Sequence, residues 1–254
     1  MFEVKVGCCG FPVAREKYFA DFDLVEIQST FYKLPRANTV QRWRSEAPLG
    51  FEYAVKAWQA ITHRPSSPTW RRSGLKVKGK SVKQYGSLKP TEENFKAWRL
   101  TLDVCRGLEA QTCIVQCPPS FEPSSENLAN LAAFFKKIDR DKLLIGWEPR
   151  GSWNQQPDLI SRLCQELDLI HVVDILRMYP ALERPTAYIR LHGLGRREQN
   201  YGYRYSDSDL ALLSQRLSDL KPEGVKRAYI LFNNVSMFDD ALRFKRLLMK
   251  SGVP

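Results

Sequence analysis

Eight short apolar runs recur along the chain, at 4–9, 24–31, 53–57, 113–117, 143–148, 169–174, 187–192 and 228–234. Nearly every run closes on a polar or charged residue, and stretches of helical periodicity separate most of them. Phe95, Trp98, Leu102 and Cys105 fall three and four apart, which predicts a helix from Glu92 to about Leu108 behind Pro90 and Thr91. A helix from Asn38 and Thr39 to Ala47 is expected to bury Trp43. One starting at Ser124 or Ser125 is expected to bury Leu128, Leu131, Phe134 and Phe135. Two more are predicted over 157–167 and 206–220, the second with Leu210, Leu213 and Leu217 inward. The 236–239 stretch resembles a capping box opening the last helix. Helices after the first and sixth runs are poorly marked. Near-continuous apolar runs are what parallel strands covered on both faces require. Eight such alternations predict a single (β/α)8 TIM-like barrel domain over 1–254, and 254 residues is a usual length for one.

In that fold, chemistry gathers where the strands end. The residues expected there are Glu26, Gln28, Lys56, Gln116, Glu148, Asp174, Arg190, His192, Asn233 and Asn234. Period-two alternation puts Glu26, Gln28 and Thr30 on one face of the second strand. It pairs Ile114 with Gln116, Gly146 with Glu148, Val172 with Asp174, and Arg190 with His192. Three carboxylates, Glu26, Glu148 and Asp174, thus face three cations, Lys56, Arg150 and Arg190. One reading is an ion-pair network that fixes the mouth. The other is a ligand site, because apolar filling is usually no less stable than buried ion pairs.

Charge sharpens the picture. The chain carries a net charge of +11, and residues 58–91 hold Arg64, Arg71, Arg72, Lys76, Lys78, Lys80, Lys83 and Lys89 with no Asp or Glu. Most of the excess charge therefore belongs to one basic insertion after the third strand. It suits an anionic partner, nucleic acid included, or else it is a solvated loop. The six cysteines, Cys8, Cys9, Cys105, Cys113, Cys117 and Cys164, form no CxxC pair and read as free buried thiols. Neither a signal-peptide pattern nor a membrane-length apolar stretch is present, so a cytoplasmic location is expected.

Several stretches resemble the YecE-like family, domain of unknown function 72. They include Val25-Glu26-Ile27-Gln28-Ser29-Thr30-Phe31-Tyr32-Lys33-Leu34-Pro35, Phe51-Glu52-Tyr53-Ala54-Val55-Lys56-Ala57 and Ile61-Thr62-His63. Gln116-Cys117-Pro118-Pro119-Ser120-Phe121, Trp147-Glu148-Pro149-Arg150 and Tyr188-Ile189-Arg190-Leu191-His192-Gly193 follow in order, with Leu231-Phe232-Asn233-Asn234 last. The resemblance implies a TIM-like barrel and assigns no reaction. Two departures stand out. Gly7-Cys8-Cys9-Gly10-Phe11 replaces the family's Gly-x-Ser-Gly-Trp, and Glu148-Pro149-Arg150 replaces its Glu-Arg-His.

Two carboxylates across a lumen, Glu26 and Glu148, suit glycoside hydrolysis, but Trp147 alternates away from the lumen and counts against it. Metal-assisted hydrolysis of a phosphoester is the stronger enzyme reading. Glu26, Glu148, Asp174 and His192 would hold Mg²⁺ or Mn²⁺. Glu26, Lys56, Glu148, Asp174 and His192 would form the catalytic set. Gln28, Gln116, Arg150, Arg190, Arg196, Tyr201, Asn233 and Asn234 would bind substrate. His63 is the other histidine within reach of such a site. Position supports phosphate: the loop over 193–205 follows the seventh strand, and residues 233–236 lead into a helix N-terminus. The expected function is hydrolysis of a phosphorylated or nucleic-acid substrate by a phosphoesterase or nuclease. The alternative is a non-catalytic binder of nucleic acid or an anionic ligand.

Overall fold

The computed structural model describes residues 2–220 and 224–250. Its strands are β1 (Glu3–Cys9), β2 (Leu24–Ile27), β3 (Glu52–Lys56), β4 (Thr112–Gln116), β5 (Leu144–Glu148), β6 (Ile170–His171), β7 (Thr186–Leu191) and β8 (Arg227–Phe232). They follow the order β6-β5-β4-β3-β2-β1-β8-β7 in one sheet. The helices are α1 (Arg15–Asp21), α2 (Ser29–Tyr32), α3 (Ala37–Glu46), α4 (Glu92–Leu108), α5 (Ser125–Lys137), α6 (Pro157–Glu166), α7 (Asp207–Asp219) and α8 (Met237–Lys250). This is the (β/α)8, TIM-like arrangement that the apolar runs predict.

The chain is built as two compact units. Unit 1 comprises Met1–Glu26, Pro48–Glu52 and Ile170–Pro254. In it β1 runs parallel to both β2 and β8, and β8 runs parallel to β7. Leu210, Leu213 and Leu217 are the buried positions of α7, as their spacing predicts. The capping box stands here, with Ser206 and Asp209 bonding each other's backbone amides.

Unit 2 comprises Ile27–Ala47 and Tyr53–Leu169, and its strands β3, β4 and β5 pair in parallel. α4 buries Phe95, Trp98, Leu102 and Cys105, is capped by Thr91, and stops where Glu109 turns left-handed at φ 54°. α5 is capped by Ser124 and buries Leu131, Phe134 and Phe135, while Leu128 is half-buried. In α3 the buried residue is Val40, and Trp43 is only half-buried. Val40 packs on Gly107 of α4, where even a Cβ would come within 2.7 Å of it.

Two expectations are corrected. The second run does not continue as a strand to Phe31. It ends at Ile27, and the chain then turns into α2. The reason is local: the Thr30 hydroxyl bonds the Ile27 carbonyl and the Lys56 carbonyl, both at 2.6 Å, which a strand geometry would not allow. Gln28 and Thr30 therefore do not share a strand face with Glu26. The sixth run is a two-residue strand with a single further bridge, Val173 to Ile189, and no helix separates β6 from β7. Pro180 and Pro185 in that connection deny a helix the amide donors it needs. The cysteine expectation holds: all six are buried and none is in a disulfide.

Candidate functional site

In unit 1 the strand ends carry a closed ion pair. Glu26 of β2 accepts from Arg190 of β7 at 2.9 Å and from the Tyr188 hydroxyl at 3.0 Å. Glu26 and Arg190 are fully buried, and Arg190 also lies 3.7 Å from the Cys9 sulfur on β1. Burial first, then the Glu26 charge, pushes the Tyr188 hydroxyl well above its ordinary range. The carboxylate thus ties β2 to β7 and Arg190 reaches on to β1, which matches the structural reading of these charges.

Asp174 is likewise engaged. Its carboxylate accepts from the backbone amides of Leu176 and His192, each at 3.1 Å, and so fixes the chain after β6 to the end of β7. His192 is buried, with the exposed Tyr201 ring 6.2 Å away. Arg177, which sequence reasoning passed over, donates to the carbonyls of Gly193 at 2.7 Å and Arg197 at 2.9 Å. The Tyr205 hydroxyl accepts from the Gly193 amide. The loop after β7 is therefore pinned, with Arg196 exposed on it. Asn234 donates to the Tyr203 carbonyl and to Asp240, both at 2.7 Å, and Asn233 is buried beside it in sequence.

In unit 2 the ends of β3, β4 and β5 carry Lys56, Gln116 and Glu148. Each side chain is almost buried. Gln116 and Glu148 are register partners, and the Gln116 amide donates to the Cys117 carbonyl at 2.8 Å. Arg150 turns back on Glu148, with Nε at 3.0 Å and Nη2 at 2.5 Å from the same carboxylate oxygen. The Lys56 ammonium stands 4.3 Å above the Phe31 ring. The edge of His63 meets that ring with centroids 4.9 Å apart. Thr62 bonds His63 Nδ1 at 2.8 Å. Gln28 stands half-buried at the start of α2.

His63 reports the electrostatics of this group. Burial lowers its pKa from 6.5 to about 3, and Lys56 and Arg150 push in the same direction. The imidazole is therefore neutral at physiological pH in a positive surrounding. Burial raises the Cys8 and Cys117 thiols to about 12, which keeps both protonated at physiological pH.

Among the described residues no three His, Cys, Asp or Glu side chains are grouped so as to hold a metal. The expected ligands have other partners: Glu26 has Arg190 and Tyr188, Glu148 has Arg150, and Asp174 has backbone amides. These surroundings do not fit the expected Mg²⁺ or Mn²⁺ set of Glu26, Glu148, Asp174 and His192. The glycosidase reading also loses its stacking residues, since Trp147 and Trp153 are fully buried against each other, 5.0 Å between centroids. Phe31, Thr30 and Thr62 were missed as site residues because nothing in a single sequence separates them from core positions.

Parallel strands whose polar last residues gather cations and a carboxylate define a TIM-barrel protein with charged strand ends. Within that class, residues 14–253 match the family model for the protein of unknown function DUF72, and the chain belongs to that family. It is 25% identical over 260 residues to the UPF0759 protein YunF of Bacillus subtilis strain 168, a match covering 92% of this chain and 84% of that one. Among solved structures it resembles a DUF72 family protein from Enterococcus faecalis V583, at a TM-score of 0.71 and 19% identity, with 98% of each chain covered. A DUF72 family protein from Thermotoga maritima MSB8 superposes at a TM-score of 0.69 and 22% identity, covering 97% of this chain and 99% of that one. A xylose isomerase domain containing protein from Salmonella typhimurium LT2 follows at 0.57 and 14%, covering 98% and 99%. At these identities the likeness speaks for the (β/α)8 fold. Among the described residues, no helix is long and apolar enough to cross a membrane.

Proposed function

We propose that the strand ends of unit 2 bind the phosphate group of a phosphorylated ligand. The carrying observation is the group formed by Lys56, Arg150 and the neutral His63. Two cations are held almost out of water beside an imidazole, and the Arg150 guanidinium is bonded to Glu148. A dianionic group entering there would gain from both charges in a low-dielectric setting, where such attraction is strongest. Gln116 and neutral His63 supply hydrogen bonds without adding charge. Binding is favoured over turnover because Glu148 is already held by Arg150 through two bonds to one oxygen. If the ligand is turned over, Glu148 is the base beside the phosphate and hydrolysis is the reaction class.

A thermal-shift series tests this. Inorganic phosphate, pyrophosphate, a sugar phosphate and mononucleotides are each added at graded concentrations, with inorganic phosphate release followed in parallel. A ligand at about 100 times its Kd stabilises by about 2.7 kcal/mol, or several degrees in Tm for a chain of this size. Lys56→Met should abolish the shift. Shifts with none of the probes, or equal shifts in Lys56→Met, would overturn the proposal.

A further inference from the structure

The basic insertion is a built surface rather than a loose loop. Its two ends are zipped together: the amides of Gly86, Ser87 and Leu88 donate to the carbonyls of Ala60, Thr62 and Ile61 at 2.9–3.0 Å. Asn94 of α4 locks this base by accepting from the Gly86 amide and donating to the Gly86 carbonyl, both at 3.1 Å, and to the Lys89 carbonyl at 3.0 Å. Gly86 has φ +77°, and a Cβ there would come within 2.4 Å of the His63 carbonyl, so this close approach needs glycine. Further out, Trp70 is buried with its edge on Tyr85, and Thr69 bonds Gln59 at 2.7 Å.

The cations are what this scaffold leaves outside. Arg64, Arg71, Arg72, Lys76, Lys78, Lys80 and Lys83 are exposed. Among the described residues, none of them makes an ion pair, whereas Arg42, Arg99, Arg106 and Arg162, exposed on helices, each do. Leu75 and Val77 are half-buried while Lys76 and Lys78 are exposed, so that stretch alternates and turns its lysines to one outer side. Extended chain spaces such residues by about 6.7 Å. The Arg72 guanidinium carbon stands 3.5 Å from the Tyr32 ring centroid, a cation–π contact.

We infer that this insertion is a docking surface for the phosphate backbone of a nucleic acid. Seven exposed cations without ion pairs, gathered on one hydrogen-bonded base, match a partner with repeated negative charge. A lipid surface fits less well, because Val82, only marginally exposed, is the one large apolar side chain offered here. None of these seven cations belongs to the Lys56, Arg150 and His63 group, and the inference does not rest on that group's binding phosphate.

The test is fluorescence anisotropy with a labelled 20-nucleotide DNA, single-stranded and duplex, across a series of KCl concentrations. The wild-type chain should bind with a steep negative slope of log K against log salt. Replacing Lys76, Lys78, Lys80 and Lys83 with Gln should flatten the duplex slope by up to about 3.6, at about 0.9 for each lost phosphate contact. It should leave the melting temperature unchanged, because the four side chains are exposed. Lys56→Met should leave the slope unchanged, which separates this surface from the proposed phosphate site. No DNA binding, a slope indifferent to the fourfold substitution, or binding to phosphatidylserine vesicles with none to DNA would each overturn the inference.

Discussion

His63 concentrates the account at the scale of one residue. It was legible in the sequence only as a histidine within reach of a site, because nothing in the spacing shows that Lys56 and Arg150 would crowd it. Its folded pKa of about 3 lies below the 6.5 of a free histidine. The unfolded chain thus binds a proton between those values that the folded chain refuses. The contribution is fully present above about pH 6.5 and is lost as pH falls toward 3, at about 1.4 kcal/mol per pH unit. Urea unfolding at pH 7 and pH 5 should therefore show wild-type stability falling by about 2 kcal/mol more than that of His63→Asn. Equal pH dependence in the two proteins would show that His63 is not buried against cations. Glu26 teaches a related lesson. Alternation put it among the charged residues of the strand ends without naming Arg190 as its partner, and it gave no sign of the Tyr188 hydroxyl, since Tyr188 reads as one more apolar strand position.

At the scale of elements, the helices with clear three-and-four spacing were readable, and their caps fell where Thr91, Ser124 and Ser206 predict. What failed was the junction after β2, where Thr30 bonds two carbonyls and folds the chain into α2. A run of β-branched and aromatic residues carries no mark of such a bond. The base of the insertion was equally hidden, because it depends on Asn94, a residue of the following helix whose bonds back to Gly86 and Lys89 no spacing marks. Removing that side chain takes away three hydrogen bonds at the base of the insertion, at a cost of about 0.5–1.5 kcal/mol each. Asn94→Ala should speed tryptic cleavage at the lysines and arginines of 64–89 well before the rest of the chain is cut. Unchanged cleavage within the insertion would mean that Asn94 does not hold it.

At the scale of the whole molecule, the (β/α)8 fold followed from eight apolar runs because strand burial leaves a strong pattern. The site did not follow so well, because membership in a charged cluster depends on side-chain direction after the strands end. The chain has three histidines: His63 with Lys56 in unit 2, and in unit 1 His192 just after β7 and His171 bonded to the Ala181 amide. The most direct test of the phosphate proposal is a proton–carbon NMR titration of the histidine-labelled protein with inorganic phosphate and then pyrophosphate. The His63 ring resonance should move saturably in the wild-type chain and not in Lys56→Met, while His171 stays still. A stationary His63, or a saturable shift of His192 alone, would contradict the placement of the phosphate site at the ends of β3, β4 and β5.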